Sequence, residues 1–176
     1  ELAGGRDMIE AGMQVGQNQP ITYHKVGKPA NSFLVYQQVY DENGRPIMGC
    51  YVDRDGHGVI DENDRYFYKN IVAPWTGGFN LKVSYKNWDL GSNFRFSLGN
   101  YVYNGYEESK ANTSELYNSK GYYENATKDI TTLGWTSYNY PLTDYFVQNA
   151  SFLKCDNITL GYNFNNVLKM GKYHGI

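Results

Sequence analysis

The sequence lacks the features that mark several large classes of protein. No apolar run approaches the ~20 residues that a membrane-spanning helix requires, and the mean hydropathy is -0.62. Lys and Arg number 16 against 18 Asp and Glu among 176 residues, so no basic surface argues for nucleic acid as a partner. Two cysteines are too few for a disulfide framework. Hydropathy alone describes a soluble chain, but barrel strands show lipid only every second residue and also average as polar.

Catalytic motifs are missing as well. The three histidines, His24, His57 and His174, are far apart in the sequence, and none stands in a recognisable motif. The sequence contains neither a nucleophile elbow nor a glycine-rich phosphate-binding loop. It therefore favours a binding or transport protein over an enzyme, and no catalytic residue is predicted.

Tyrosine and glycine are abundant instead, with 18 and 19 copies, and the clearest pattern lies in residues 77–98. Apolar and polar side chains alternate there on both sides of Lys86 and Asn87, which predicts two strands with one apolar face. If those two residues form the turn, the apolar residues of the two strands pair on the same face. The predicted pairs are Tyr85 with Trp88, Val83 with Leu90, and Phe79 with Phe94.

The order of the segments favours a membrane barrel. After this tight hairpin come residues 104–148, about 45 residues without a sustained period, and then a last alternating strand over residues 149–164. Short turns on one side and long loops on the other are typical of outer-membrane barrels. The rims of such barrels carry aromatic residues, and in this chain Tyr85 and Trp88 flank the short turn. The predicted fold is all-β, a segment of an antiparallel transmembrane β-barrel with long extracellular loops. A soluble, secreted, calcium-braced β-sandwich that binds carbohydrate is the alternative, in which a second sheet covers the apolar face.

Other stretches of the sequence give further predictions. Residues 1–27 are predicted as loop with a weak strand near residues 8–15, and residues 31–40 as one strand. Residues 100–103 are predicted to extend the second strand of the hairpin. Strict alternation in the last strand places Lys154 and Asp156 on the face of Ile158 and Leu160. Because charge facing lipid is costly at the midplane, both are predicted to stand above the apolar band.

Residues 53–64 have the spacing of a twelve-residue calcium loop, which supplies oxygen ligands from positions 1, 3, 5, 7, 9 and 12. The predicted ligands are Asp53, Asp55, His57, the Val59 carbonyl, Asp61 and Asp64. Gly58 at the sixth position permits the sharp turn. An imidazole suits transition metals better than calcium, and Asp64 replaces the usual bidentate Glu, so the match is imperfect. We predict a structural calcium site, with a solvated Asx-turn loop as the alternative.

The long loop carries aromatic residues that could stack on sugar rings. The candidates for substrate binding are Trp135, Tyr138, Tyr140 and Tyr145. Packing of these rings against neighbouring parts of the loop is the alternative.

Several of these segments together resemble the SusC-like TonB-dependent transporters. The resemblance rests on VGKPANSF at 26–33, the Asp-Gly loop after Tyr51, YKNWDL at 85–90, and ASFLK at 150–154 running into NITLGY at 157–162. Their order also agrees, so the likeness covers nearly the whole chain. It corresponds to the C-terminal portion of the barrel, residues 1–176, with the calcium-type loop at 53–64 and an outer loop at about 104–148.

The resemblance implies a plugged barrel of about 22 strands in the outer membrane of Gram-negative bacteria. It also implies import of oligosaccharides or peptides driven through TonB, with a leaning toward starch-type glycans. A SusD-like surface lipoprotein, the TonB complex and outer-membrane lipid are the implied partners. A chain without the plug and the remaining strands is not expected to close a barrel or to transport by itself.

Overall fold

The computed structural model describes residues 2, 4–15, 18–111, 113, 121–122, 125–134 and 142–164. The elements are mostly antiparallel strands, as the sequence predicts. In chain order the described strands are β1 (Met8–Glu10), β2 (Gln14–Val15), β3 (Gln19–Pro20), β4 (Thr22–Lys25), β5 (Ser32–Val35), β6 (Gln38–Tyr40), β7 (Pro46–Tyr51), β8 (Tyr66–Asn70), β9 (Trp75–Tyr85), β10 (Trp88–Leu98), β11 (Tyr101–Tyr103), β12 (Val147–Asn149) and β13 (Phe152–Tyr162).

Helices are short and few in the described part of the chain. They comprise α1 (Gly105–Lys110), α2 (Asp129–Leu133) and the 3-10 helices Glu62–Asp64 and Asp144–Phe146. The side-chain oxygen of Asn104 caps α1 by accepting a hydrogen bond from the backbone N–H of Glu107. None of the described helices is long and apolar enough to cross a membrane.

The chain divides into two compact units. The first comprises Glu1–Pro74 and Gly99–Ala150, and the second comprises Trp75–Leu98 and Ser151–Ile176. In the first unit, four strands form an antiparallel sheet in the order β1-β4-β5-β8, and the strand pairs β2-β3, β6-β7 and β11-β12 stand beside it. Its hydrophobic core gathers side chains from distant parts of the sequence, with Phe33, Val35, Phe146 and Ile21 almost fully buried.

The segment after residue 142 is fastened to strands far earlier in the sequence. The backbone N–H of Tyr36 donates to the Leu142 carbonyl at 2.7 Å, and the N–H of Asp144 donates to the Tyr36 carbonyl at 3.0 Å. The Asp144 carboxylate accepts hydrogen bonds from the Tyr66 hydroxyl at 2.7 Å and from the Gln38 backbone N–H at 3.0 Å. These bonds fix the backbone of Tyr36.

The second unit is a three-stranded antiparallel sheet in the order β13-β10-β9. The register of its hairpin is the predicted one, with the pairs Tyr85–Trp88, Val83–Leu90 and Phe79–Phe94. Lys86, the first residue of the turn, has a φ of 53°, and the two-residue turns favoured in hairpins require a positive φ at that position. The sheet is not closed, and its apolar face is exposed within the described residues: Phe79, for example, is 50% exposed.

The predicted face of Lys154 and Asp156 is wrong because β13 contains a β-bulge, whereas their position above the apolar band stays a prediction. Asn157 pairs with Asn93 but Cys155 pairs with Phe94, which leaves Asp156 without a partner in the ladder. An extra residue reverses the alternation beyond it. Lys154 therefore pairs with Arg95 on the polar face, and the Asp156 carboxylate forms an ion pair with the Arg95 Nε at 3.0 Å.

Three further boundaries differ from the sequence prediction. Residues 1–27 contain β1 to β4 rather than one weak strand, because main-chain pairing with neighbouring strands decides their conformation. Residues 31–40 form two strands, β5 and β6. Residues 100–103 do not continue β10, because Gly99 has a φ of 81° and ends the extended conformation of the strand. Residues 101–103 instead form β11, which pairs with β12.

Candidate functional site

The acidic loop draws four of the predicted calcium ligands together. One ligand atom from each of Asp53, Asp55, His57 and Asp64 lies within 4.8 Å of the others. Gly56 and Gly58 have φ values of 76° and 86°, which lets the backbone turn sharply around this cluster. The carboxylates offer the hard oxygen ligands that Ca²⁺ prefers.

Backbone N–H groups already hold two of these carboxylates. Asp53 accepts hydrogen bonds from the N–H groups of Gly58 and Gly56, each at 2.7 Å, and these bonds lower the pKa of its carboxyl group. Asp64 is fully buried and accepts from the N–H groups of Asp61 at 2.9 Å and Arg54 at 2.7 Å, which also lowers its pKa. Both side chains are therefore kept ionised and oriented before any cation arrives.

The other predicted ligands are placed differently. A hydrogen bond from His57 Nδ1 to the Asp55 carboxylate raises the pKa of the imidazole and so favours its protonated form. Asp61 lies outside the four-residue cluster and caps the 3-10 helix Glu62–Asp64, accepting from the Asn63 N–H at 2.7 Å. The Val59 side chain is exposed, as expected for a residue that offers only its carbonyl. Calcium binding at this loop stays a prediction.

The predicted sugar-binding aromatics are mostly beyond the described residues. Trp135, Tyr138 and Tyr140 lie outside them. Tyr145 is described, and its ring packs edge-on against Phe146 with a centroid distance of 5.1 Å. Phe146 belongs to the hydrophobic core, so this ring has a structural contact. Substrate binding by these residues stays a prediction.

A cavity in the first unit was not predicted from the sequence. Its volume is about 610 Å³, within the range of small-molecule sites. Its walls come from β1, β4 and β7, from Tyr36 after β5, and from the end of the acidic loop. The polar and aromatic lining includes Glu10, Tyr23, Tyr36, Tyr51, Glu62 and Arg65. No local pattern marks these residues, because they are spread over more than fifty positions of the sequence. The only sign of such a site in the sequence is the abundance of tyrosine.

The apolar face of the three-stranded sheet is the second surface with functional meaning. Rows of paired apolar side chains cross all three strands, including Tyr85–Trp88–Tyr162 and Val83–Leu90–Leu160. Ile158 is 71% exposed and Leu160 is 65% exposed. An apolar surface of this extent is uncommon on a soluble monomer and marks contact with a membrane or a partner.

The curated proteins that the chain resembles are TonB-dependent receptors. No family model matches the chain. Over its whole length the chain is 46% identical to the TonB-dependent receptor SusC of Bacteroides thetaiotaomicron, and it spans 18% of that receptor. Two TonB-dependent receptors of Formosa agariphila, P3 and P26, are 28% and 29% identical over 64% and 69% of the chain, which covers 12% and 13% of their lengths.

Comparison with solved structures shows the same fold. Two RagAB structures, described as a peptide transporter and as a peptide importer in a closed-closed state, match with TM-scores of 0.58 and 0.63. They cover 92% and 97% of this chain at 22% identity, and the chain covers 19% and 20% of theirs. The matched proteins are receptors and transporters rather than enzymes.

Proposed function

Because this chain is a segment of a SusC-like TonB-dependent receptor of the outer membrane, we propose that the receptor imports oligosaccharides of the starch or glycan type. Energy reaches it through the TonB complex, and a SusD-like surface lipoprotein helps it to capture the substrate. The role is binding and transport, not catalysis. The family membership confirms the resemblance in the sequence, whereas the C-terminal position of the segment stays a prediction.

The observation that carries the proposal is the 46% identity to SusC over the whole chain. The second unit supports it, because its 11-residue strands have the length that a tilted membrane strand requires and its apolar face is exposed. A soluble sandwich would need a second sheet over Phe79, Leu81 and Val83, yet all three are about half exposed in the described structure.

The choice of oligosaccharide over peptide follows the closer relative. RagAB, a peptide transporter, shares the fold at 22% identity, and an identity this low carries no information on the substrate of this receptor. SusC is more than twice as similar in sequence. Peptide import is therefore kept as the outcome that would contradict the proposal.

The test is growth of the native bacterium after deletion of the full-length receptor gene. We expect growth on maltoheptaose to be lost while growth on glucose is kept, and plasmid-borne receptor to restore it. A strain without functional TonB should show the same loss. The receptor should be recovered in the outer-membrane fraction. Unchanged growth on neutral oligosaccharides, with loss of growth on oligopeptides, would contradict the proposed substrate and leave the transporter assignment intact.

A further inference from the structure

The cavity of the first unit has walls suited to a polyhydroxylated ring. Tyr36 and Tyr51 stack on each other with a centroid distance of 5.1 Å and an interplanar angle of 29°. The hydrogen bonds between Tyr36 and the segment at Leu142–Asp144 fix the backbone from which the first ring projects. Stacked, anchored rings offer a rigid apolar wall with polar hydroxyl groups, which matches a sugar with C–H and O–H groups on different sides.

Arg65 provides a hydrogen-bond donor that the described protein does not satisfy. Its side chain is only 11% exposed, and its Nη2 lies 3.3 Å from a carboxylate oxygen of Glu62. Its Nε is a buried nitrogen without a hydrogen-bond acceptor among the described residues. A buried donor without a partner is unusual in a folded protein, and the same guanidinium belongs to a residue that lines the cavity.

The charges of the wall select for a neutral ligand. Glu10 and Glu62 carry two negative charges against the single positive charge of Arg65. The two carboxylates can accept hydrogen bonds from hydroxyl groups, and the guanidinium can donate to hydroxyl or ring oxygens. The net negative charge disfavours uronic acids and sulfated sugars.

We propose that this cavity is a subsite of the receptor that binds one or more rings of a neutral oligosaccharide, with Tyr36 and Tyr51 as the stacking wall and Arg65, Glu62 and Glu10 as its hydrogen-bonding groups. The proposal rests on the proposed function and adds the location and the charge class of the ligand. It differs from the aromatic residues predicted in the long loop, because none of them lines this cavity within the described residues.

The acidic loop contributes directly to this subsite. Glu62 begins the 3-10 helix that Asp61 caps, and Ile60 of the same loop also lines the cavity. The hydrogen bonds to Asp64 hold the end of the loop in place just before Arg65. The loop therefore positions one wall of the subsite, whether or not it holds a cation.

The test measures binding to the purified full-length receptor by calorimetry, with maltoheptaose, a trigalacturonate and a neutral oligopeptide as probes. Arg65→Gln should weaken maltoheptaose binding about tenfold, the usual effect of losing a hydrogen bond to a charged group. Glu62→Gln should weaken maltoheptaose binding severalfold and strengthen trigalacturonate binding, because it removes a negative charge. A misfolded variant would not gain affinity for the acidic probe.

Matched controls are exposed residues of the same types that do not line the cavity, Arg45→Gln and Glu42→Gln. Both should bind all three probes as the unaltered receptor does. If the unaltered receptor binds maltoheptaose and both cavity variants bind it equally well, the subsite is overturned and the proposed function stands. If the unaltered receptor binds only the oligopeptide, the proposed substrate and the subsite fall together.

Discussion

At the scale of single residues, the His57 ring would compete with a calcium ion for the carboxylates of the acidic loop. Its Nδ1 bonds to the Asp55 carboxylate, and its Nε2 lies 3.7 Å from a carboxylate oxygen of Asp61. The nearby carboxylates raise the pKa of the imidazole, with the Asp55 hydrogen bond as the largest cause. A protonated ring among three aspartates takes the electrostatic role that a bound calcium ion would otherwise have.

Replacing this ring should therefore favour the metal. His57→Asn substitutes a neutral oxygen ligand, as calcium loops usually have at this position. We expect calcium affinity of the full-length receptor to rise severalfold, measured by calorimetry at constant pH. Equal or weaker binding would show that His57 does not compete with the ion.

Asp53 is the residue whose loss should abolish the site. Asp53→Ala removes a carboxylate that two backbone N–H groups orient, and we expect calcium affinity to fall at least ~tenfold. The matched control is Asp41→Ala, because Asp41 forms a similar turn, accepting from the N–H groups of Asn43 and Arg45, outside the cluster. An unchanged calcium signal in the Asp53 variant would favour the solvated Asx-turn loop.

The contrast between the two candidate sites shows what a sequence reveals at this scale. Asp53, Asp55 and Asp64 could be predicted to converge because a twelve-residue loop with glycines brings them together locally. Tyr23, Tyr51 and Arg65 line one cavity only in the folded chain, from separate parts of the sequence, which leaves no spacing to recognise.

At the scale of elements, the hairpin and the last strand differ in how local their signals are. A two-residue turn fixes the register of β9 and β10, so alternation and turn chemistry predicted every tested pair. The bulge in β13 depends on pairing with a strand more than fifty residues away. Its trace in the sequence is a charged pair within an apolar row, a conflict that one extra residue resolves.

The sheet faces can be tested with paired arginine substitutions. Leu160→Arg puts a charge on the exposed apolar face and should destabilise the receptor by ~2–4 kcal/mol if that position lies near the bilayer midplane. Thr159→Arg puts the same charge on the polar face and should be tolerated. The measurement is the midpoint of urea unfolding in lipid vesicles. Equal midpoints for the two variants would contradict the membrane orientation of this sheet.

Helix α1 contains a carboxyl group with a stability cost that depends on pH. Burial raises the pKa of Glu108 above its ordinary value. A raised acid pKa favours the protonated folded form, so the folded state loses stability as pH rises from the unfolded to the folded pKa. Glu108→Gln should thus slow hydrogen exchange of α1 amides relative to the unaltered receptor at pH 7. At pH 4 the two should exchange alike, and a reversed order at pH 7 would contradict the effect of burial.

At the scale of the whole molecule, the three-stranded sheet has two open edges among the described residues. Within the described residues, β9 and β13 each pair on one side only, with β10 between them. Open edges with lipid on one face leave backbone groups unsatisfied in a bilayer. The sheet can therefore span a membrane only when further strands pair with both of its edges.

This requirement predicts a difference between the segment and the receptor. Residues 1–176 expressed alone should show no shift between heated and unheated samples on gel electrophoresis, whereas the full-length receptor should show the shift of a closed barrel. The control is the same segment refolded in detergent without lipid. A heat-dependent shift of the segment alone would indicate closure by self-association and contradict the need for the remaining strands.

The short strands β11 and β12 have a consequence for how the chain folds. The ladder between β10 and β13 joins Ser97 to Phe152, so it must close a long loop, whose entropic cost grows with the logarithm of its length. Tyr101 pairs with Asn149, and only two residues separate β10 from β11 and β12 from β13. Once β11 and β12 have met, β13 no longer searches for β10 from a distance: the two small strands turn a slow, non-local encounter into a local one.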